Sequence, residues 1–180
     1  MSERRYRRLV LPGRFQPPHL GHVNTIKYAL SVADSVIIIV GSAQESFTQR
    51  NPLTAGERIE LLEKVLDHEV GPGWCERVSV VPVMDINMNK VWVQYLIQLL
   101  PRFEGVVSGN GLVQELFRDM GLAVVEPPMY RRGECSGSLI RRKILEGDDS
   151  WVECVPKYIL GDLYELGFVE RLRRVAGEHG

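Results

Sequence analysis

The stretch Ser35-Val36-Ile37-Ile38-Ile39-Val40-Gly41-Ser42 decides the fold. Apolar, β-branched residues fill every position between Ser35 and Gly41, and such a run predicts a strand that is buried on both of its faces. Strands of this kind are typical of parallel sheets, whose two faces are covered by helices. The Gly-Ser pair predicts the point at which the strand ends.

Strand and helix patterns alternate on both sides of this run. Upstream, the apolar segment 9–11 ends at Pro12-Gly13, and apolar residues at helical spacing cover 19–32. Downstream, Thr54-x-x-Glu57 has the form of a capping box and predicts a helix start. Further strands are predicted at 78–84, 105–108 and 122–125, and further helices at 90–100, 111–120 and 138–146, the last capped by Ser136 or Ser138. The pattern favours an α/β fold, a Rossmann-like doubly wound parallel sheet with right-handed crossovers and helices on both faces.

The chain has 180 residues, of which 44% are hydrophobic, and this length favours a single globular unit. We expect an α/β domain over residues 1–150 and a C-terminal helical extension over 151–180 that packs on the same domain. The helical tail is predicted from Val155 to Ala176, with an interruption near Gly167.

Charge and hydropathy exclude several partners. The net charge is -1, so no broad basic surface is expected and nucleic acid is not a predicted partner. No run approaches the roughly 20 apolar residues of a membrane span, and no signal-type apolar stretch follows the basic segment 1–8. Cys75, Cys135 and Cys154 contain no C-x-x-C pair, so we expect reduced, ordinary thiols in a soluble cytoplasmic protein.

In an open α/β sheet, ligands bind beyond the carboxyl ends of the strands. The predicted loops at that edge are 12–19, 41–53, 84–90, 108–111 and 126–137. They contain most of the residues whose types suggest chemistry rather than packing.

The first of these loops runs into Gly13-Arg14-Phe15-Gln16-Pro17-Pro18-His19-Leu20-Gly21-His22. The helix predicted near His19 presents N–H groups that attract phosphate. His19 and His22 are three residues apart and therefore share one face of the first turn, and Gly13 and Gly21 allow close approach of a ligand to the backbone. Neither G-x-x-x-x-G-K-[ST] nor G-x-G-x-x-G fits this segment, and zinc is not expected because no third ligand is within reach by sequence.

The segment His19-Leu20-Gly21-His22 resembles the H-x-G-H motif of the nucleotidyltransferase superfamily. The longer stretch 13–22 resembles the archaeal type of nicotinamide-nucleotide adenylyltransferase, except that an aromatic residue is expected at Pro18. This resemblance implies transfer of AMP from ATP to nicotinamide mononucleotide, with release of pyrophosphate and formation of NAD. It also implies Mg²⁺ bound with ATP, no dedicated metal ligand, and a homo-oligomer, often a hexamer.

The family's loop after the second strand resembles residues 40–44, and its arginine-containing loop and helix start resemble residues 49–58. The resemblance implies that Arg14 and Arg50 hold phosphates and act in catalysis together with His19 and His22. Considered alone, Arg50 is more typical of a solvated loop arginine, and the histidines nearby favour the phosphate-binding role. Residues implied to bind ATP or its phosphates in this half of the chain are Gly13, Phe15, Gln16 and Gly21.

The segment 84–92 resembles the family's nicotinamide pocket. Asp85 and Asn89, with Ser42, are implied to bind the nicotinamide end, and Trp92 offers a flat face to the pyridinium ring. The alternatives are that Asp85 caps the next helix and that Trp92 belongs to the core.

The segment Ser136-Gly137-Ser138-Leu139-Ile140-Arg141 resembles the second motif of the superfamily, with Ser138 in place of the more usual Thr. Its helix start and Arg141 are implied to bind the departing phosphates. Ser108-Gly109-Asn110 resembles the segment near adenine and ribose, with Gly109 and Asn110 as binding residues, and Arg131 and Arg132 are expected near the site. The alternatives left open are a sibling transferase with another phosphorylated acceptor and a non-catalytic nucleotide sensor.

Overall fold

The computed structural model describes residues 5–131 and 133–177. Its strands are β1 (Tyr6–Gly13), β2 (Ala33–Val40), β3 (Val78–Pro82), β4 (Gly105–Val107) and β5 (Ala123–Val125). Its α-helices are α1 (Leu20–Val32), α2 (Ala55–Glu69), α3 (Asn89–Leu99), α4 (Gly111–Asp119), α5 (Gly137–Glu146), α6 (Lys157–Glu165) and α7 (Phe168–Gly177). Short 3-10 helices cover Trp74–Glu76 and Asp149–Cys154.

Within this described part of the chain the strands form one parallel sheet in the order β3-β2-β1-β4-β5. Val10 of β1 stands beside Ile37 of β2 on one side and Val106 of β4 on the other. The chain winds outward in both directions from β1, so the order reverses between β1 and β4. This confirms the predicted doubly wound sheet and puts the expected ligand crevice at the carboxyl ends of β1 and β4.

Alternation along the two central strands explains why both faces of the sheet are covered. Leu9 and Leu11 of β1 pack against α1 and α2, whereas Val10 points to the opposite face and packs against α3 and α4. In β2, Val36 and Ile38 share the first of these faces. Because residues next to each other in a strand point to opposite sides, an unbroken apolar run fills two cores at once.

Local capping fixes where the helices begin. His19 is the N-cap of α1, Thr54 the N-cap of α2, and Ser136 the N-cap of α5. Of the two serines predicted as a cap for α5, Ser136 is therefore the one used. The structure differs from the prediction at β2, which begins at Ala33, directly after α1. Ala33 can belong to both elements because its backbone is extended (φ -129°, ψ 150°) while its N–H closes the last turn of α1.

The helices after residue 150 pack on the rest of the chain through a separate apolar cluster. Trp151, Phe168 and Leu172 lie in it together with Leu61 and Val65 of α2. The tail is helical as predicted, and it is interrupted at Gly167, which has φ +63°. The division into a 1–150 domain and a 151–180 extension stays a prediction. None of the helices in 5–131 and 133–177 combines the length and apolar character needed to cross a membrane.

The expectation for the cysteines was wrong for one pair. Cys135 and Cys154 form a disulfide, and Cys75 is an exposed free thiol. The pairing results from tertiary packing, because α5 lies against the 3-10 helix that contains Cys154. The 19-residue separation of the pair matches no local cysteine motif, so spacing alone did not reveal it.

Candidate active site

Cavities open along the carboxyl edge of the sheet, where the crevice was expected. The first, of about 390 Å³, lies between the loop after β2 and the start of α3 and is lined by Arg14, Arg50 and Trp92 among others. The second, of about 310 Å³, lies over the ends of β1, β2 and β4 and shares Arg14, Ser42, Asp85 and Trp92 with the first. The third, of about 230 Å³, lies between the starts of α1 and α5 and includes His19 and His22.

His19 and His22 cap the first helix with their own side chains. Nδ1 of His19 accepts the N–H of Gly21, and Nδ1 of His22 accepts the N–H of His19, both at 3.1 Å. The two rings are stacked, with 3.7 Å between centroids, and the His22 ring also contacts buried Phe15 at 4.4 Å. This arrangement is a capping box in which imidazoles replace the usual hydroxyl and carboxylate.

The caps determine what these rings offer to a ligand. A neutral imidazole whose Nδ1 accepts a hydrogen bond carries its proton on Nε2. Burial, and secondly the charge of Arg141, lowers the pKa of His19 to about 4. Burial, and secondly His19, lowers the pKa of His22 well below its ordinary value. At neutral pH both residues are therefore uncharged and each has an Nε2–H donor.

The glycines of this segment are required by the rings beside them. A Cβ on Gly21 would lie 2.8 Å from Cε1 of His19, and a Cβ on Gly13 would lie 2.8 Å from Cζ of Phe15. Phe15 itself has φ +54° and a buried side chain. Gly13 and Gly21 therefore make room for aromatic side chains, a role that sequence reasoning had given to an approaching ligand.

The guanidinium groups of Arg14 and Arg141 lie within electrostatic reach of each other and of Arg50. Burial, followed by the charge of Arg50, lowers the pKa of Arg14, whereas Asp85 and Glu45 act in the opposite direction. Burial, followed by the charges of Arg14 and Arg50, lowers the pKa of Arg141 to about 10. Cations that disfavour one another's charge in this way form a strong site for an anion.

A direct contact joins the two helix starts. Nη1 of Arg141, on α5, donates to the carbonyl oxygen of Gln16 at 2.8 Å, and a Cβ on Gly137 would lie 3.1 Å from the same nitrogen. Ser136 accepts the N–H of Leu139 at 3.3 Å, and its hydroxyl lies 3.2 Å from that of Ser138. The start of α5 therefore lies against the loop that leads into α1.

Gln16 has a different environment from the one expected. Its amide donates to the carbonyl of Leu53 at 2.8 Å and accepts the N–H of Leu53 at 2.9 Å. The side chain is buried, and this pair of bonds ties the first loop to the second. The geometry gives the side chain of Gln16 a connecting role, although its phosphate-binding role stays a prediction.

The polar residues beyond β2 and β3 form a clamp. The hydroxyl of Ser42 donates to Oδ2 of Asp85 at 2.6 Å, and the N–H of Ser42 donates to Oδ1 of Asp85 at 3.3 Å. Asp85 therefore does not cap α3, whose N-cap position is Met88 without a side-chain bond. Asn89 opens α3 and lines the first cavity with Trp92. Trp92 is half-buried and meets Phe117 edge-on at 6.0 Å, so it borders both the core and the cavity.

Residues after β4 lie on the other side of the same edge. Asn110 is the N-cap of α4 and lines the second cavity, while Gly109 lines the third. The N–H of Asn110 donates to the hydroxyl of Ser108 at 3.1 Å. Arg131 forms an exposed ion pair with Glu134 at 2.6 Å, and Arg132 lies outside the described residues.

Arg58 organises the site, and sequence reasoning did not single it out. It is fully buried and donates to the carbonyl oxygens of Arg14, Gly41, Ser42 and Thr54 at 2.7–3.2 Å. Burial is the main reason why the pKa of Arg58 falls to about 10. Its spacing gave a usable signal, because Arg58, Leu61, Leu62 and Val65 lie on one buried helical face.

The loop that carries Arg50 contains a second residue that was missed. Asn51 is buried and donates from Nδ2 to Glu45 at 2.5 Å. In the described ranges its Oδ1 is the buried side-chain oxygen without a hydrogen-bond partner. Asn51 and exposed Arg50 both line the first cavity, so the loop brings a cation and an amide to its wall.

The class of protein is defined by the fold and by the histidine-capped start of α1, which lies near the start of α5. These features are those of the nucleotidyltransferases with an H-x-G-H motif.

Comparisons with known proteins give the same class and narrow it. Residues 10–143 match the cytidylyltransferase-like family model. The chain is 56% identical over 169 residues to the nicotinamide-nucleotide adenylyltransferase of Aeropyrum pernix, covering 94% of this chain and 97% of that one. It is 43% identical over 164 residues to the same-named protein of Pyrococcus furiosus, covering 91% and 86%. The chain belongs to the nicotinamide-nucleotide adenylyltransferase family.

Solved structures agree on the fold. A bifunctional NMN adenylyltransferase/ADP ribose pyrophosphatase from Francisella tularensis superposes with a TM-score of 0.73 at 20% identity, over 94% of this chain. The present chain spans about half, 53%, of that longer protein. At this identity the likeness supports the α/β architecture with its C-terminal helices.

Proposed function

We propose that this chain transfers the adenylyl group of ATP to nicotinamide mononucleotide, giving NAD and pyrophosphate. The observation that carries the proposal is the contact of Arg141 with the carbonyl of Gln16 at 2.8 Å. This contact holds the start of α5 against the loop that leads to the two capping histidines, and Arg141 acts electrostatically on His19 as well as with Arg14 and Arg50. A triphosphate carries several negative charges along its length, so donors from two helix starts together with several cations suit it.

The reaction is a direct displacement. A phosphate oxygen of the mononucleotide attacks the α-phosphorus of ATP, the new P–O bond forms, and the bond from the α-phosphorus to the bridging oxygen breaks, so that pyrophosphate leaves with the electron pair. The attacking phosphate monoester is already anionic near neutral pH and needs no strong base. Catalysis then depends on positioning and on stabilisation of the developing charge.

His19 and His22 donate from Nε2 to phosphate oxygens as charge builds. Neutral donors suit this role, because they stay in place without the counter-charge that a buried imidazolium would require. Arg14 and Arg50 hold phosphates on the acceptor side, and Arg141 with the start of α5 holds the departing pyrophosphate. The assignments are supported by the mutual proximity of these arginines and by the charge of Arg141 at His19.

The nicotinamide end is assigned to the first cavity. Asp85 is held by Ser42, so that a carboxylate is fixed near the cavity wall. Trp92 and Asn89 line the same cavity. A positively charged pyridinium ring is favoured beside a carboxylate and over an indole face.

We propose that Mg²⁺ arrives with ATP and is held by its phosphate oxygens. In the described part of the chain no group of three or more His, Cys, Asp or Glu side chains is arranged to bind a metal ion. The groups that converge on the crevice are N–H donors and guanidiniums, which fit the phosphates that carry the ion. Once bound, the ion would neutralise charge on the triphosphate, and it would need few protein ligands because Mg²⁺ usually keeps several waters.

The test is pyrophosphate release from ATP and Mg²⁺ with nicotinamide mononucleotide. Release that depends on this acceptor is expected, with NAD as the second product. His22→Ala should lower turnover about 10²- to 10³-fold while the chain stays folded, and His68→Ala, a histidine stacked on Tyr158, should leave it unchanged. Release with flavin mononucleotide or phosphopantetheine instead would identify a sibling transferase, and ATP binding without release would identify a sensor.

We also propose a cytoplasmic homo-oligomer, a hexamer being the form to test. Exposed apolar side chains on α3, Ile97 at 44% and Leu99 at 52% exposure, support an interface between copies. Light scattering during gel filtration gives the mass directly, and a monomeric mass at assay concentration would contradict this part.

A further inference from the structure

The side chain of Arg171, on the last helix, contacts the loop that carries Arg50. Arg171 of α7 donates from Nη1 to Oε2 of Glu57 at 2.7 Å and from Nη2 to Oε1 of Glu57 at 2.9 Å. Nη1 also donates to the carbonyl of Pro52 at 3.1 Å, and the guanidinium carbon lies 4.3 Å from the ring centre of Phe47. The side chain of Arg171 is 10% exposed, so its hydrogen bonds are largely shielded from solvent.

The segment held in this way is the turn from Phe47 to Leu53. Three hydrogen bonds lie within the turn: the N–H of Phe47 donates to the carbonyl of Pro52 at 3.3 Å, the N–H of Thr48 to the carbonyl of Asn51 at 3.2 Å, and the N–H of Asn51 to Oγ1 of Thr48 at 2.9 Å. Gln16 also holds Leu53, and Glu45 holds the side chain of Asn51. Phe47 has φ +55°, a conformation that a bulky L-residue adopts only when its surroundings enforce it. The exposed Arg50 lies at the tip, so its position depends on how firmly both ends of the turn are held.

Arg171 acts at both ends. It stacks on Phe47 at one end and binds the carbonyl of Pro52 at the other. Its partner Glu57 also accepts the N–H of Thr54 at 2.9 Å and so caps α2, the helix that follows the turn. Hydrogen bonds from Arg171 and Thr54 outweigh the burial that would raise the pKa of Glu57, and the pKa is lowered.

We propose that Arg171 is a positioning residue for Arg50: it fixes the turn 47–53 in the shape that delivers the Arg50 guanidinium to the phosphates. The role of Arg50 rests on the proposed function, whereas the fixing of the turn does not. Arginine suits the task because its planar fork binds a carboxylate with two bonds and still reaches a carbonyl and an aromatic face. Lysine supplies a charge without that fork.

Limited trypsin digestion tests the fixing of the turn without substrate. The Arg50–Asn51 bond is cleavable by sequence, and mass spectrometry distinguishes it from other sites. In Arg171→Gln, cleavage at this bond should be at least about 10-fold faster than in the parent, because the turn opens locally. The control is Arg174→Gln, an exposed arginine on the same helix, which should digest like the parent. Equal cleavage rates in Arg171→Gln and the parent would overturn the proposal.

A kinetic cycle tests the link to Arg50. Arg171→Gln should lower kcat/KM about 10- to 100-fold, and Arg171→Lys should restore only part of the loss. The double variant Arg50→Ala/Arg171→Gln should be no worse than Arg50→Ala alone, since residues that act through one another are not additive. Additive losses would mean that Arg171 serves general stability, and the positioning role would be rejected.

A second variant covers the case in which Arg171→Gln does not fold. Glu57→Gln keeps a residue able to cap α2 but removes the charge that Arg171 pairs with, and it should show the same faster cleavage at Arg50–Asn51. If the parent releases no pyrophosphate but the cleavage result holds, the proposed function fails and the fixing of the turn stands. If release is normal and cleavage is unchanged in both variants, the present inference fails alone.

Discussion

The N–H of His19 donates to Nδ1 of His22, and the N–H of Gly21 donates to Nδ1 of His19, so each imidazole is both a helix cap and a wall of the third cavity. An acceptor nitrogen cannot carry a proton. Protonation of either ring therefore breaks a cap of α1, and protonation of His19 also adds charge beside Arg141. Helix stability and histidine protonation are linked at this point.

The linkage predicts how stability depends on pH. The pKa of His19 is about 4 in the folded chain, below its ordinary 6.5, so the unfolded chain binds more protons as the pH falls below 6.5. The free energy of unfolding should fall over that range, by about 2 kcal/mol at pH 5 for His19 alone. Denaturant unfolding between pH 8 and pH 5 measures it, and ordinary carboxylates stay ionised over this window.

His19→Asn provides the matched control. Asparagine is a preferred N-cap residue and does not titrate, so this variant should keep α1 and lose part of the pH dependence. An unchanged slope in His19→Asn, or a parent that becomes more stable on acidification, would contradict the lowered pKa.

Replacement of Gly21 should displace the His19 ring from its place in the site. In Gly21→Ala the new Cβ would lie 2.8 Å from Cε1 and 2.9 Å from Nδ1 of His19, so the ring must move and its cap is lost. We expect pyrophosphate release to fall at least about 10-fold. In the control Gly56→Ala the Cβ meets only Thr54 Oγ1 at 3.9 Å, and this change in the first turn of α2 should leave folding and turnover like those of the parent.

Replacement of Trp92 should raise the KM for nicotinamide mononucleotide and leave the KM for ATP nearly unchanged. Trp92→Ala removes an aromatic face from the first cavity, and the KM for nicotinamide mononucleotide should rise about tenfold, which corresponds to a cation–π contact of about 1.4 kcal/mol. Trp92→Phe keeps a flat ring and should lose less. The KM for ATP should stay within about twofold in both variants. A similar rise for the two substrates would argue against placing the nicotinamide end here.

The disulfide should stabilise the chain through its loop. Cys135 and Cys154 are 19 residues apart, and closing a loop of that length is worth about 3 kcal/mol. Reductant should lower the thermal unfolding midpoint of the parent and of Cys75→Ala, whose exposed thiol has no such role. Cys154→Ala should already unfold at the lower midpoint and should not respond to reductant. A parent indifferent to reductant would show that the bond adds nothing.

Local sequence signals were sufficient for most of the fold. The apolar run of β2 predicted a parallel sheet because it fills both cores, and Thr54 with Glu57 marked the start of α2 because a capping box has a recognisable spacing. The His19–His22 spacing placed both rings on the first turn of α1 for the same reason. These features depend on residues close together in the chain.

Features that depend on distant residues were missed. In the sequence, Arg58 and Arg171 are typical of surface arginines on charged helices. Their carbonyl and carboxylate partners lie up to 119 residues away in the chain. The Cys135–Cys154 bond and the Gln16–Leu53 pair also arise only once the helices are packed. The signal that could have identified each arginine in the sequence was its position on an otherwise apolar helical face.

Arg58 has a consequence for redesign of the acceptor specificity. Its guanidinium donates hydrogen bonds to the carbonyl oxygens of Arg14, Gly41, Ser42 and Thr54, and none of these acceptors lies in the segment 84–92. That segment can be exchanged for its counterpart in a related enzyme while the guanidinium keeps these hydrogen bonds, provided that a carboxylate stays at position 85, because Asp85 favours the charged form of Arg58 and accepts two hydrogen bonds from Ser42. Grafts that include residues 14 or 41–42 must reproduce those carbonyl positions, since a buried arginine deprived of them would disrupt the whole scaffold.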